Sequence, residues 1–277
     1  MQDQVLISVV TVSYNAVTTI EQTILSVINQ TYPHIEYIII DGGSTDGTVD
    51  VIKKYADKIV YWVSEPDKGI YDAMNKGVRE AKGKYITFLN AGDFYYNQDS
   101  LLQLIQKGEI DNDPDVIYGY QIHSFNYGKF VRKKMPLVYF KEFMPIGHPF
   151  SFVKADLMKN TMFDCSYRIA ADYNFLFGLY QANKKFKFVD VIIADFESMT
   201  GISSESNLLA YKETAIINGC YGTLKYKIRY LKLYLSGMIK KITRLLFPKL
   251  ALTIQKRKRR KNKEYLLLDE FLLDYNK

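Results

Sequence analysis

Residues 36–48 read EYIIIDGGSTDGT, and the fold turns on how this stretch is read. YIII is a continuous apolar run of the kind found in a strand covered on both faces, and it ends on Asp41. Gly42 and Gly43 permit a tight turn, Ser44 or Thr45 can cap a helix, and Asp46 puts an acid near that helix's start. Capping accounts for the Ser, Thr and Gly but not for an acid at the end of a buried strand. A carboxylate there can accept hydrogen bonds from a base or ribose, which makes Asp41 a candidate binding residue with Ser44 beside it.

The pattern repeats on both sides. VLISVVTVS is a strand followed by a helix in AVTTIEQTILSVINQ. After the quoted stretch comes a helix from about Thr45 to Tyr55, then IVYWVS, a helix from about Tyr71 to Ala81, YITFLN and a helix in SLLQLIQKG. This β-α-β-α alternation predicts an α/β fold with a mostly parallel sheet and helices on both faces, whose ligands sit beyond the carboxyl ends of the strands. From about Asp111 the pattern changes. DVIYGYQIHSF and KFVRKK flank a turn-prone NYG as an antiparallel pair, and a helix in AADYNFLFGLYQA precedes a strand in KFKFVDVIIADF.

Two cysteines, Cys165 and Cys220, lie far apart with no CxxC or Cys/His cluster, so neither a disulfide framework nor a structural zinc site is signalled. The N-terminal segment lacks a basic region ahead of its short apolar stretch, and no apolar run is long enough to span a bilayer. A cytoplasmic location is expected. Net charge is +7, but residues 221–277 hold 16 Lys and Arg against 4 Asp and Glu, which leaves the first 220 residues net acidic. The absence of GxGxxG after the first strand argues against a dinucleotide dehydrogenase.

Polar residues collect where the strands end. They are Thr11, Ser13, Tyr14 and Asn15 after the first strand, Asp41 after the second, Ser64, Glu65, Asp67 and Lys68 after the third, and Asn90 and Asp93 after the fourth. The ordered set ISVVTVSYN, IIIDGGSTDGT, SEPDKGIYDAMNKGVREAKGKYITFLNAGD and IAADYNFL resembles family 2 glycosyltransferases of the GT-A fold, most closely the bacterial enzymes of exopolysaccharide, capsule and lipopolysaccharide assembly. The motifs run from about residue 5 to residue 180.

The resemblance implies a Rossmann-like nucleotide-diphospho-sugar transferase with a mixed, mostly parallel sheet. Residues 1–110 would form the nucleotide-sugar half, 111–220 the acceptor half and 221–277 a basic tail. Thr11, Ser13, Tyr14 and Asn15 would line the nucleoside, and Asp41 would read its base or ribose. Asp67, Lys68 and the helix carrying Asn75 would lie under the sugar nucleotide, with UDP the foremost donor. A helix opening near Tyr71 offers free N–H groups to a diphosphate, and Lys68 adds a point charge. Capping competes as the role of Asp72.

In the family the fourth strand usually ends in an acid-rich motif that holds Mg2+ or Mn2+. Here it reads Asn90, Ala91, Gly92, Asp93, so Asp93 is the surviving ligand candidate and a weak, nucleotide-assisted metal is expected. Asn90 can offer a carbonyl oxygen, and Asp99 and Ser100 are better placed to cap the next helix. The resemblance also implies inverting transfer with Asp172 as general base, since a carboxylate must take the acceptor hydroxyl's proton; a first-turn aspartate is the structural alternative. His148, in PIGHPFSF, is a secondary site residue near the diphosphate or acceptor. A non-catalytic nucleotide-sugar binding protein is the competing reading.

Residues 224–246 set Leu224, Ile228, Leu231, Leu235, Met238, Ile239, Ile242 and Leu246 in one stripe at helical spacing, with Lys and Arg around the rest of the wheel and Leu233 on the polar side. Such a helix reads as interfacial, docking on an anionic membrane surface at the cytoplasmic face, where a saccharide or lipid-linked saccharide acceptor would lie. Packing of the stripe on the rest of the protein, with a solvated KRKRRKNK run, competes with this. Nucleic acid is disfavoured because no recognised binding fold accompanies the basic run. EYLLLDEFLLDY reads as a short second helix.

Overall fold

Every residue of β1 (Ile7–Ser13) is buried, as are all but the first of β2 (Ile35–Asp41), which is why both read as unbroken apolar runs. The structure is a computed structural model that describes residues 5–108, 110–148, 150–197, 207–262 and 264–275. The chain divides into two compact units, Met1–Gln121 with Ile146–Phe196, and Ile122–Pro145 with Glu197–Lys277.

In the first unit β1, β2, β3 (Tyr61–Ser64) and β4 (Tyr85–Phe88) form a parallel set in the order β4-β1-β2-β3. The register pairs Ser13 with Asp41 and Asp41 with Ser64, so three strands deliver their last polar residue to one row. The connecting helices are α1 (Ile20–Ile28), α2 (Thr48–Lys54) and α3 (Ile70–Glu80). α1 buries Ile20, Thr23, Ile24 and Val27, one face of a helical period. α3 lies close on β1 because Gly77 has no side chain: a Cβ there would collide with the buried Val10.

Antiparallel pairing takes over beyond β4. β8 (Phe152–Lys154) pairs with β4 and with Val116 and Ile117 of β6 (Val116–Phe125), while β5 (Phe94–Tyr95) pairs with β9 (Phe186–Glu197). α4 (Ser100–Lys107), α5 (Ala155–Thr161) and α6 (Ala171–Gln181) complete this unit. The sheet is therefore mixed, as expected. The short β5, β8 and α5 carry too few residues for a period to declare itself and were not anticipated.

In the second unit the end of β6 forms the predicted hairpin with β7 (Gly128–Arg132), and β10 (Tyr265–Leu267) adds to its far edge. Tyr265–Leu267 is thus a strand, and helix α10 (Leu268–Tyr275) begins only after it, where one continuous helix was expected. This pairing joins residues 122–145 to the C-terminal segment within the second unit. The Arg259 guanidinium lies 4.4 Å from the ring centroids of both Phe125 and Tyr265, so the basic run is partly fastened down rather than wholly solvated.

The remaining helices are α7 (Asn207–Ile217), α8 (Leu224–Leu246) and α9 (Pro248–Arg260). Thr223 caps α8 by accepting the Tyr226 N–H at 3.2 Å. α8 packs against α7 and α9. Its covered side carries Tyr226, Tyr230 and Leu233, with Tyr226 stacked on Tyr211 at 5.4 Å. The apolar stripe faces the other way: Leu231 is 56% and Ile239 64% exposed, and Leu224, Ile228, Leu235, Met238, Ile242 and Leu246 are exposed as well. Within this unit α7 and α9 leave the stripe uncovered. Among the described residues no helix is long and apolar enough to cross a membrane.

Candidate functional site

The row of strand ends is organised by Asp41, whose residue is 0% exposed. Its Oδ1 accepts the Ser13 hydroxyl at 2.8 Å and the Ser44 hydroxyl at 2.6 Å. Its Oδ2 accepts the Ser64 hydroxyl at 2.7 Å, the Ser44 N–H at 2.8 Å and the Gly43 N–H at 3.2 Å. Burial alone would raise the carboxyl, but the hydrogen bonds from Ser44, Ser64 and Ser13 outweigh it and hold Asp41 below its usual value. A carboxylate has about four lone-pair directions, and here all are taken. Asp41 thus holds the DGGST loop to three strands and offers no free oxygen to a base or ribose in this conformation, unlike the direct reader expected from the sequence.

Asn15 joins the first loop to the second. It stands at φ 47°, a left-handed conformation that Asn tolerates, donates its N–H to the Ser44 hydroxyl at 2.8 Å and accepts the Thr45 N–H on Oδ1 at 3.0 Å. Ser44 is occupied by these two loops, and Asp46 makes the helix-start contacts, accepting the Thr48 N–H at 3.0 Å. Tyr14 is 67% exposed. A Cβ on Gly42 would stand 3.3 Å from its ring and 3.0 Å from Asp67 Oδ2, so an open aromatic face, bare backbone and a carboxylate meet there. Thr11 is turned inward: its hydroxyl donates to the Leu89 carbonyl at 2.7 Å and contacts the Tyr37 hydroxyl at 3.1 Å, so it braces the sheet rather than lining a surface.

The third loop brings an ion cluster that the sequence reading missed. Lys76 of α3 reaches Asp67 at 2.5 Å and Glu65 at 2.8 Å. Burial, with Asp72 and Glu65 nearby, holds the Asp67 carboxyl above its usual value even against Lys76. Burial works against the Lys76 ammonium, but hydrogen bonds to the two carboxylates raise it. Lys68 is exposed and its backbone N–H donates to Asp72 at 3.0 Å, so Asp72 does brace the start of α3. Asn75 clamps α3 to the segment before α6, donating to the Phe163 carbonyl at 2.9 Å and accepting the Phe163 N–H at 2.8 Å. Both ends of its amide are used inside the protein, which leaves it beneath the site rather than in it.

At the end of β4, Ala91 N–H donates to Val12 carbonyl at 3.1 Å, and Asn90 to Asp93 form a tight turn with Gly92 at φ 103°. Thr23 fixes the turn, accepting the Gly92 N–H at 3.0 Å and donating to the Asp93 carbonyl at 2.8 Å. Asp93 is only 4% exposed. Asn90 Oδ1 is buried with no hydrogen-bond partner among the described residues, an orphaned acceptor at the strand's end. No three His, Cys, Asp or Glu side chains converge among the described residues. This oxygen donor set, one amide and one carboxylate, fits a hard cation only if a substrate's phosphates supply most of the ligands. Asp99 does not cap α4 with its side chain but accepts the Thr31 hydroxyl at 2.7 Å.

Asp172 stands in the first turn of α6. Its Oδ1 accepts the Tyr173 N–H at 2.8 Å and lies 3.1 Å from the hydroxyl of Tyr71, on α3. His148 is 3% exposed, its ring 5.2 Å from those of Phe88 and Phe163, and burial pulls its pKa to about 3, so the imidazole is neutral. Its Nε2 has no hydrogen-bond partner among the described residues.

Known proteins resemble this chain in sequence family and in fold. The sequence model described as Glycosyl transferase family 2 matches residues 8–172. An uncharacterised glycosyltransferase of Mycobacterium tuberculosis is 32% identical over 176 residues, 61% of this chain and 67% of its own. A putative teichuronic acid biosynthesis glycosyltransferase of Bacillus subtilis, TuaG, is 43% identical over 91 residues, 32% of this chain and 36% of its own. Among solved structures, S. aureus TarS 1-349 in complex with UDP-GlcNAc has a TM-score of 0.62 at 18% identity, covering 76% of this chain and 66% of that one. The mannosyltransferase PcManGT from Pyrobaculum calidifontis, in complex with GDP-Man and Mn2+, has a TM-score of 0.62 at 15% identity, covering 95% and 82%. The chain spans 39% of a longer TarS chain. The structural likenesses carry the GT-A fold, and the sequence match carries the family: this chain belongs to glycosyl transferase family 2.

Proposed function

We propose that the protein moves a sugar from a nucleotide-diphosphate donor, UDP foremost, to a saccharide or lipid-linked saccharide, with inversion and with Asp172 as general base. In this reading Asp172 takes the proton of the acceptor hydroxyl as that oxygen attacks the anomeric carbon and the bond to the diphosphate breaks. Tyr14, the bare backbone at Gly42 and Asp67 receive the nucleoside, and Asp41, Ser13, Asn15 and Ser44 hold that edge rigid from behind. The opening of α3 with Lys68 meets the diphosphate. Asn90 and Asp93 would hold Mg2+ or Mn2+ together with the phosphates, where the cation would supply charge to the leaving group. His148, neutral, and Ala91 lie on the same side of the reading, as candidate neighbours of the diphosphate or acceptor.

The observation that carries the reading is the carboxylate of Asp172 at the head of α6, tied to α3 through Tyr71. Its test is Asp172→Asn. Donor turnover should fall by about 10²-fold or more, the contribution typical of a general base, while stabilisation by nucleotide persists. Unchanged turnover would overturn the base assignment. The lone acid at the metal position supports a second reading, a nucleotide-sugar binder without turnover, and that reading gains if the unaltered protein binds UDP yet releases none from UDP-sugars.

The outward apolar stripe of α8, flanked by Lys225, Lys227, Lys232 and Lys241, supports docking on an anionic bilayer at the cytoplasmic face. Each basic side chain near such a surface adds about 1 kcal/mol of attraction. The teichuronic acid relative, by its name, supports a product among cell-surface polysaccharides.

A further inference from the structure

The hydroxyl of Tyr71 sits between two acceptors. It donates to the backbone carbonyl of Ile169 at 2.5 Å and lies 3.1 Å from Asp172 Oδ1. A phenol carries one proton and can accept as well as donate, so it cannot serve both oxygens as donor at the same moment. The tyrosine is buried, and its ring packs on Phe163 at 5.7 Å. The ring is thus fixed while the hydroxyl proton is left with two directions to choose between.

We infer that Tyr71 is a positioning residue for Asp172, a rotor whose proton follows the charge of the carboxyl. When Asp172 is ionised, the Tyr71 O–H leans to Oδ1 and donates. When Asp172 has gained a proton on Oδ2, Oδ1 keeps the Tyr173 N–H but becomes a weaker acceptor, and the Tyr71 proton returns to the Ile169 carbonyl. No bond to carbon changes and the proton count balances: Asp172 holds the proton it received, and Tyr71 keeps its own throughout. The residue therefore holds the ionised base in place before the step, without touching substrate. This inference rests on the reading of Asp172 as base.

The test is the titration of Asp172 itself. Aspartate labelled with 13C at the carboxyl is incorporated into the full chain, and the Asp172 resonance is assigned by its loss in Asp172→Asn. Removing a donor to an ionised carboxylate raises its pKa, so Tyr71→Phe should move the Asp172 midpoint up by about one pH unit, tenfold in proton affinity. The acidic limb of nucleotide release from a UDP-sugar should move with it, while KM for that donor stays unchanged. Charged groups on the neighbouring elements, among the described residues, are Glu65, Asp67 and Lys68 ahead of α3, Asp72, Lys76, Arg79 and Glu80 on it, Asp156 and Lys159 on α5, and Asp164 and Arg168 before α6, with His148 against Phe163. All remain in place in Tyr71→Phe, so the difference isolates the hydroxyl.

Coincident titrations in the two proteins would overturn the inference, as would a fall in kcat uniform across pH, the mark of a merely structural role. If Tyr71→Phe does not fold, replacement of tyrosine by 3-fluorotyrosine, a stronger donor, should move the Asp172 midpoint down. A shifted midpoint with full turnover in Asp172→Asn would leave the contact but overturn both the base and its positioning.

Discussion

Replacing Asp41 by Asn tests the hub that holds the strand ends together. The carboxylate receives three hydroxyl and two backbone N–H donors. The amide oxygen of Asn can keep the backbone pair, and the rotatable hydroxyls of Ser13 and Ser44 can turn to accept from its NH2, so the loss is chiefly that of charge. Hydrogen bonds to a charged group are worth about 1.5–3 kcal/mol, and at this chain length that lowers Tm by roughly 3–12 °C. Asp41→Ala, which strands all five donors, should cost more. The pH dependence has a definite sign. The folded-state pKa of Asp41 lies below its ordinary 3.8, so its contribution is fully present above that value and is lost as pH falls through the depressed one. Urea unfolding of wild type and Asp41→Asn should therefore differ most at neutral pH and converge in acid. Equal stability at pH 7, or a gap that widens in acid, would refute the reasoning.

Gly77→Ala should destabilise the protein by about 1–3 kcal/mol in urea unfolding, because the new methyl group meets Val10 in a packed interface; an unchanged midpoint would mean that α3 does not lie this close. Asp93→Ala should abolish any gain in nucleotide affinity on adding Mn2+, read by titration calorimetry, and a gain that survives would move the cation elsewhere. Leu231→Asp with Ile239→Asp should release the protein from vesicles rich in anionic lipid while barely changing Tm, since both side chains already face out. Retained binding would take the α8 stripe out of the docking surface.

Much of this arrangement was legible in the sequence because it follows from local period. The buried runs of β1 and β2, the hairpin at Asn126–Gly128 and the span of α8 all carry their pattern within a few residues. What was hidden depends on partners distant in the chain. Asp41 reads as an unexplained acid until Ser13 and Ser64 arrive from neighbouring strands to fill its lone pairs, and Tyr71 means little until Asp172 is beside it. Helical spacing tells which residues of α8 share a face but not which face meets the protein. LLL suits a strand or a helix equally, and the open edge of β7 decided it for β10.

The most direct measurement of the central claim is thermal melting of the full chain with UDP, GDP and dTDP, each with and without Mn2+. A nucleotide at about a hundred times its Kd adds roughly 2.7 kcal/mol to the folded state, well within reach of a melting curve. Tm should rise with UDP, and rise further when Mn2+ is present. No rise with any of the three, with or without metal, would contradict the donor site on which the proposed transferase rests.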